Sequence, residues 1–563
     1  MKRVKRARTK PGKEAYGKHK PRNAKGRSTV KRITRASSGD FDIKAFRKIA
    51  SYPLGAMRFI YARIICDSSF HLFLVFLMMA LYGTVLSYVC MYNQNRFWYS
   101  AHDIGIFDQG IWLLSQGENA FVTVRGFHIF GDHIQFIIAF LAPLFWIRDD
   151  IKMLLIVQAA ALAFGTIPLY LIAKRRLKNR FVPLFIVLAY ILYPALHYLN
   201  LENFHPDSFA VPALLFAFYF LTRKNYGLYT LATVIALMVK EDIAATVFVM
   251  GLYAVVFSSR KVGAATLLAA AIIILSYSNV LYLFNGMGYF HTKYGAFNEF
   301  GSTPLEVVKN IVLKHDDFMK VLITDINKKY VYEIFAPTAF LSILSPTTMV
   351  LAAPGLFINL ITGWPYAHSI QYHYTKAIIP FVFVSVVYGL SNLERLGNWR
   401  RDWTRLIFKG VYYLAVVALV ASSVWGNMTI GPGSTSVKNY RQIGDIIRNY
   451  DKFSPREIVL NNAIGMVPEN ATVSATYLIV PHMTHRKIIY MFPNPFKEAY
   501  WGAMLGNFTP PTPTKDVDYI ILDMYTVNPE EKKAIIDKFV AEGRYKQILY
   551  EQEVMLLKRE ELQ

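Results

Sequence analysis

The chain of 563 residues is 54% hydrophobic and 15% aromatic, and its mean hydropathy is +0.28. This composition is too apolar for a soluble protein of this length, so it excludes a purely soluble enzyme and predicts a multi-pass membrane protein. The net charge of +24 would indicate nucleic-acid binding only if it were spread over a folded surface.

The positive charge is instead concentrated in residues 1–50, which carry 18 Lys or Arg and three acids and therefore about +15 of the total. The segment has almost no apolar content, which predicts a disordered basic tail. We expect this tail to hold the N-terminus on the cytoplasmic side of the cell membrane and to contact anionic lipid. Nucleic-acid binding is the weaker interpretation, and no nucleic-acid partner is predicted.

Apolar segments long enough to cross a bilayer follow one another through residues 51–430, the predicted transmembrane domain. They lie at 69–92, 151–173, 181–199, 208–222, 262–283, 375–391 and 406–426, with less regular segments at 133–147, 228–257, 330–345 and 347–362. If 133–147 belongs to an outer loop and 228–257 makes two short crossings, every basic connection becomes cytoplasmic. This α-helical, polytopic arrangement has about 11 spans and an extracytoplasmic C-terminus.

The first outer loop, residues 93–150, is unusually rich in His, carboxylate and Gln side chains. Asp103 stands at a predicted helix start, and Gln109 projects from the side opposite an apolar face. That face consists of Ile104, Phe107, Ile111 and Leu114. The pattern is typical of a helix lying on the membrane surface. Asp103 either caps this helix or takes part in chemistry, and the spacing leaves both interpretations open.

The outer connections carry polar side chains that we expect to line one cavity. They are His102, Asp103, Asp108, Gln109 and His133; Glu202, His205 and Asp207; Lys240, Glu241 and Asp242; and His368, Gln371, His373 and Tyr374. Ionisable groups at membrane depth are costly unless they are used or paired. They could be structural ion pairs, or a carboxylate could act as a base while His and Lys side chains hold a phosphate. Three consecutive charges inside the apolar run 228–257 favour the functional interpretation.

The His, Asp and Glu side chains would also suit a divalent cation. No pair has a fixed ligand spacing, such as the i, i+4 histidines of a zinc helix, and a single His at the membrane is more often an interfacial hydrogen-bonding group. The metal site is therefore left unassigned, and no cofactor is predicted with certainty. The chain has no phosphate-binding Gly loop, nucleophile elbow or dinucleotide fingerprint in the right context, which argues against ATP-driven chemistry.

Two further regions lie outside the apolar spans. Residues 284–330 form a long outer loop in which Ser302, Thr303 and Pro304 predict the start of a second surface helix. Residues 435–563 change in composition and predict a soluble, extracytoplasmic α/β domain. Its expected elements are a helix near 436–450, strands at 472–475, 487–492 and 517–522, a helix from Asn528, and a hairpin near 545–558.

Several strings in the chain resemble a known family. They are HDIGIFDQGIW, FGDHIQF, NFHPDSFAVPALLFAFYF, VKEDIAATVFVMGLY, QYHYTKAIIPF and ENATVSATYLIVPHMTHRKIIYMFP. In this order, over roughly residues 70–525, they are similar to the predicted-membrane-protein family catalogued as domain of unknown function 2079. That family resembles the GT-C superfamily of integral-membrane glycosyltransferases, which use polyprenyl-phosphate-linked sugars on the outer membrane face.

The resemblance implies roles for a few residues. Asp103 matches the loop aspartate of the superfamily, which is a candidate base or metal ligand. Glu202 with Asp207 takes a place like the second acidic motif of the oligosaccharyltransferase branch. The adjacent acidic pair of many members is missing here, because His102 precedes Asp103.

The sequence therefore predicts a GT-C-like glycosyltransferase that moves a sugar from a polyprenyl-phosphate donor to an acceptor. The expected catalytic residues are Asp103, Glu202 and Glu241. The expected substrate-binding residues are His102, Asp108, Gln109, His133, His205, Asp207, Lys240, Gln371, His373 and Tyr374. The alternative is a transporter or lipid-binding scaffold that uses the same charges. A sensor would need chemistry in the C-terminal domain, where only His482, His485 and Arg486 cluster.

Overall fold

A computed structural model describes the chain at residues 68–286, 297, 300–301, 304–399, 403–432, 434, 446, 448–500 and 514–560. The predicted basic tail lies outside the described residues, as does most of the helix expected near 436–450.

Helices dominate the N-terminal two thirds of the described chain. In chain order they are α1 Ser68–Asn95, α2 Ile106–Ser115, α3 Leu144–Ile147, α4 Lys152–Phe164, α5 Thr166–Arg176, α6 Val182–Ile191, α7 Pro194–Leu201, α8 Ala210–Thr222, α9 Tyr226–Leu237, α10 Ile243–Phe257, α11 Arg260–Asn285, α12 Pro304–Leu313, α13 His315–Leu322, α14 Asp325–Phe335, α15 Pro346–Met349, α16 Ala353–Ile361, α17 Ile379–Trp399 and α18 Thr404–Thr429. The predicted multi-pass helical architecture is confirmed. A two-stranded ribbon, β1 Phe121–Val122 and β2 Phe127–His128, lies in the first outer loop.

Five helical stretches within the described residues are long and apolar enough to cross a membrane. They are Ser69–Asn95, Lys152–Arg176, Arg260–Asn285, Ile379–Gly397 and Thr404–Thr429. The pair α6 and α7, bent by 42°, would make a sixth. The bend lies at Pro194, which is the first residue of α7 and holds Tyr193 in an extended conformation.

The remaining apolar helices contain 10–17 residues, so length alone does not support the predicted number of about 11 spans. One of these shorter helices, Phe136–Ile147, lies within the 133–147 segment. The 228–257 segment forms two short helices, α9 and α10, joined through Lys240, Glu241 and Asp242.

The C-terminal part contains helices and a five-stranded mixed sheet. Its elements are α19 Pro455–Gly465, β3 Val473–Ala475, β4 Ile489–Met491, β5 Tyr519–Asp523, α20 Pro529–Glu531, α21 Lys538–Ala541, β6 Tyr545–Glu551 and β7 Val554–Arg559. The strand order is β4-β3-β5-β7-β6, with β3 parallel to both of its neighbours and β5, β7 and β6 antiparallel. The predicted α/β pattern is confirmed, including the C-terminal hairpin.

The sheet packs against the first outer loop through one continuous hydrophobic core. This core contains Leu86 of α1, Ile104 of the loop and Ile521 of β5. Buried Arg96, just after α1, pairs with Glu457 of α19 at 2.6 Å. The N–H of Ala101 donates to the carbonyl oxygen of Tyr477 at 2.7 Å. The loop that carries the candidate site is thus held between the membrane helices and the C-terminal sheet.

Two expectations for the first loop are wrong. Helix α2 begins at Ile106, because Asp103 has a left-handed φ of 62° with ψ of −90° and is not helical. The helix is also not a surface helix with polar Gln109 outside, since Gln109 is fully buried. The C-terminal part covers the polar side of α2, where Gln109 contacts the backbone of Arg486 and Lys487.

Candidate active site

Four side chains from distant parts of the chain meet beside the first outer loop. They are Asp103, Glu202, His205 and His373, called the central cluster below. The Nε2 atom of His205 lies 3.6 Å from a carboxylate oxygen of Glu202 and 3.6 Å from one of Asp103. The Nδ1 atom of His373 lies 3.3 Å from the same Glu202 oxygen. The two imidazole rings stack, with centroids 3.8 Å apart.

Gln158 of α4 fixes the segment that carries two of these residues. Its amide nitrogen donates to the carbonyl oxygens of Asn200 and Asn203, at 2.9 and 2.8 Å. Its amide oxygen accepts the backbone N–H of His205 at 2.7 Å. Gln158 is fully buried and lies in the candidate span Lys152–Arg176. This helical stretch therefore holds the segment that carries Glu202 and His205.

Asp103 is the open member of the cluster. Its side chain is 42% exposed, against 2% for His205 and 15% for Glu202. The left-handed backbone at Asp103 is tolerated better by Asp and Asn than by most residues. The carbonyl oxygen of the preceding His102 accepts the side-chain amide of Asn203 at 3.3 Å, which ties the strained turn to the Glu202 segment. A molecule that enters the cluster from solvent would meet the Asp103 carboxylate first.

Burial sets the ionisation of the covered members. It raises the pKa of Glu202 well above its usual range, and the nearby Asp103 charge adds to this effect. It lowers the pKa of His205 and of His373, for which the neighbouring His205 is the second cause. The two imidazoles are therefore neutral near pH 7, and each can serve as a hydrogen-bonding group or as a ligand.

An ion-pair group lies next to the central cluster. The Nζ atom of Lys376 lies 2.6 Å from Asp207 and 2.7 Å from Asp242. Lys240 is 3.6 Å from the same Asp207 oxygen, and Gln135 donates to the other Asp207 oxygen at 3.0 Å. Both Asp207 and Lys376 are almost completely buried. Pairing opposite charges in this way lowers the free-energy cost of burying each of them.

A third contact joins the first loop to the α9–α10 connection. His133 lies 2.7 Å from Glu241 through Nδ1, and the N–H of Ile134 donates to the other Glu241 oxygen at 3.0 Å. Burial alone would raise the pKa of Glu241, but His133 outweighs it and lowers that pKa to about 2. Glu241 is thus an ionised partner of His133. Glu241 therefore contacts His133 and is not a member of the central cluster.

The neighbours of His373 in sequence differ in their contacts. Tyr374 stacks on His373 with ring centroids 4.3 Å apart, and its hydroxyl accepts the indole N–H of Trp364 at 2.7 Å. Gln371 lies two residues before His373, and its backbone N–H donates to the Ser369 hydroxyl at 3.2 Å. His368, in contrast, is held by Asn327 and by the carbonyl oxygen of Thr362.

Asp108 and Gln109 lie elsewhere, in the contact with the C-terminal part. Asp108 accepts a hydrogen bond from Thr484 and pairs with His485 at 3.0 Å. Gln109 donates to Thr123 at 2.9 Å. His485 also pairs with Asp149, and the two carboxylates raise its pKa against the effect of burial. We therefore leave Asp108 and Gln109 out of the substrate site, because their contacts lie between the loop and the C-terminal part.

Two important residues were not among the predicted site residues. Lys376 follows Tyr374 closely and precedes an apolar span, where a Lys is usually taken for an interfacial anchor. Gln158 is a single polar residue in an apolar helix. In Gln158 the sequence did hold a signal, since an isolated amide at membrane depth needs hydrogen-bond partners.

The comparison with protein families decides membership. The model of a family described as "Predicted membrane protein (DUF2079)" matches residues 94–556. The chain belongs to this family. Every residue of the central cluster and of the ion-pair group lies inside the matched range. The sequence-based assignment to the family is confirmed.

The chain was also compared with solved structures and with curated proteins. Two crystal structures of ArnT from Cupriavidus metallidurans, one bound to undecaprenyl phosphate and one in the apo state, are similar to this DUF2079 member. Each shares 10% identity over 86% of this chain and 97% of ArnT, with TM-scores of 0.49 and 0.48. These values are too low to assign a function. No curated protein matches the chain.

Proposed function

We propose that this protein is a membrane glycosyltransferase that moves a sugar from a polyprenyl-phosphate donor to a lipid, glycan or protein acceptor at the outer face of the cell membrane. One observation carries the proposal. A partly exposed carboxylate, Asp103, lies 3.6 Å from buried His205 beside a group that contains buried lysines. Such a site offers a base for an incoming hydroxyl and cations for a phosphate.

The proposed reaction is a single displacement. The acceptor oxygen attacks the anomeric carbon of the sugar while Asp103 takes the hydroxyl proton. The bond between that carbon and the phosphate oxygen breaks, and its electron pair leaves on the phosphate. The products are the glycosylated acceptor and polyprenyl phosphate, and one displacement inverts the anomeric configuration.

The neighbouring groups suit the leaving phosphate. Lys240 lies 3.6 Å from Asp207, so its ammonium can also donate to a phosphate oxygen. His205 lies between Asp103 and Glu202 and can orient the donor or the acceptor. His373 and Tyr374 close the opposite wall. Glu241 acts through His133, and we assign it a positioning role in place of the catalytic one expected from the sequence.

The proposal is tested with purified protein in liposomes that contain a membrane lipid extract with labelled polyprenyl-phosphate sugars. We expect label to leave the polyprenyl-phosphate fraction and to enter a new product, with release of an equal amount of polyprenyl phosphate. Liposomes without protein are the control. Label that stays in the donor fraction in both samples would contradict the proposal and favour the transporter alternative.

A further inference from the structure

The central cluster has the geometry of a metal site. Single ligand atoms of Glu202, His205 and His373 all lie within 4.8 Å of one another. The two contacts to Glu202 measure 3.3 and 3.6 Å. Ligands about 2.0–2.2 Å from a tetrahedral Zn²⁺ lie roughly 3.4 Å from each other. These separations suit the ligands of one ion once the stacked rings of His205 and His373, whose planes differ by 26°, turn to direct both nitrogens at it.

A second observation points to a missing partner. His205 is 2% exposed, and its Nε2 atom has no hydrogen-bond partner among the described residues. Its 3.6 Å contacts with Glu202 and Asp103 are too long for hydrogen bonds. A buried polar atom without a partner costs about 1–3 kcal/mol. This nitrogen is directed at a carboxylate oxygen of Glu202, where a cation would bind both groups, with the Asp103 carboxylate at the open side.

The geometry points to a divalent transition-metal site of the zinc type, formed by Glu202, His205 and His373 and open on the side of Asp103. Imidazole ligands favour Zn²⁺ and its neighbours, whereas Mg²⁺ and Ca²⁺ prefer oxygen ligands only. Three protein ligands with one open position are typical of a zinc ion that meets a substrate. This inference goes beyond the proposed sugar transfer and does not depend on it.

The surrounding structure is already arranged to hold such ligands. Gln158 fixes the backbone of His205 at 2.7 Å, and Tyr374 stacks on the ring of His373. Residues that orient ligands in this way strengthen metal binding, and their loss typically weakens it about 10- to 100-fold. Glu202 and His205 are only three residues apart, but His373 lies far along the chain, so the complete set of ligands could not be found in the sequence.

The test measures metal content directly. The full chain is purified in detergent, its affinity tag is removed, and bound metal is stripped with a phenanthroline chelator. Zn²⁺ is then titrated and quantified by plasma mass spectrometry. We expect about one Zn²⁺ per chain in the wild type and binding at least about 100-fold weaker in His373→Gln and Glu202→Gln. Excess Mg²⁺ should not displace the Zn²⁺.

The matched control is His368→Gln, which removes a histidine of the same segment that is held by protein hydrogen bonds. This variant should bind like the wild type, and Asp103→Asn should keep its zinc. A second measurement uses the wild type alone. Co²⁺ is bound in place of Zn²⁺, and its absorption spectrum is expected to be that of a four-coordinate ion. A wild type that binds no zinc, or equal binding in the wild type and both ligand variants, would overturn the inference. Zinc binding without sugar transfer would contradict only the proposed function.

Discussion

Replacing Asp103 by Asn is expected to lower sugar transfer by about 10²- to 10⁴-fold, the usual contribution of a positioned base. Asn has nearly the same shape and tolerates a left-handed φ, so the 62° turn at this residue should persist. The lost property is the ability to take the acceptor proton. The measurement is the rate at which label leaves the polyprenyl-phosphate fraction.

The control for this variant is Asp317→Asn, an exposed carboxylate paired with Lys320 in α13. It should transfer sugar at the wild-type rate. The melting temperature of Asp103→Asn should also match that of the wild type, because the Asp103 side chain is 42% exposed. Full transfer by Asp103→Asn would remove this carboxylate from the mechanism.

Replacing Lys376 by Met is expected to destabilise the protein by about 3–5 kcal/mol, the cost of leaving a buried charge without its partner. Lys376 is 2.6 Å from Asp207 and 2.7 Å from Asp242. Without it, Asp207 would keep the more distant Lys240 at 3.6 Å and the hydrogen bond from Gln135. The loss is read from thermal unfolding in detergent, followed by the fluorescence of the Trp side chains.

Lys328→Met is the matched control, because Lys328 pairs with Asp325 at 2.9 Å on an exposed surface and should contribute little to stability. Adding Asp207→Asn to Lys376→Met should restore part of the lost stability by removing the unpaired charge. Equal melting temperatures for Lys376→Met and the wild type would show that the ion-pair group does not stabilise the fold.

The helical architecture could be predicted from the sequence because a long apolar run can hardly form anything except a membrane-spanning or deeply buried helix. Helices α1, α11 and α18 begin and end within a few residues of the predicted spans, and the C-terminal strands fall where apolar runs placed them. The number of spans was harder to predict. The break before Pro194 and the short helix α9 both lie in continuous apolar sequence. How long each helix becomes depends on how it packs in the fold.

The candidate site was predicted in part. The outer connections were expected to share a cavity, and the structure does bring Asp103, Glu202, His205 and His373 together. The sequence predicts Asp108 and Gln109 there too, because their contacts with Thr484, His485 and Arg486 join segments that are far apart in sequence. Lys376 was missed for the same physical reason, since only the fold shows that a Lys at a span boundary is buried between two carboxylates.

The most direct test of the central claim is mass spectrometry of the lipids that co-purify with the protein. It compares the wild type with a variant changed to Ala at Lys240, Glu241 and His205, and with Lys328→Ala as the control. The proposed function predicts a polyprenyl phosphate or its sugar conjugate in the wild type and the control, and its loss from the triple variant. Bulk phospholipid alone in all three samples would contradict a polyprenyl-phosphate donor at this site.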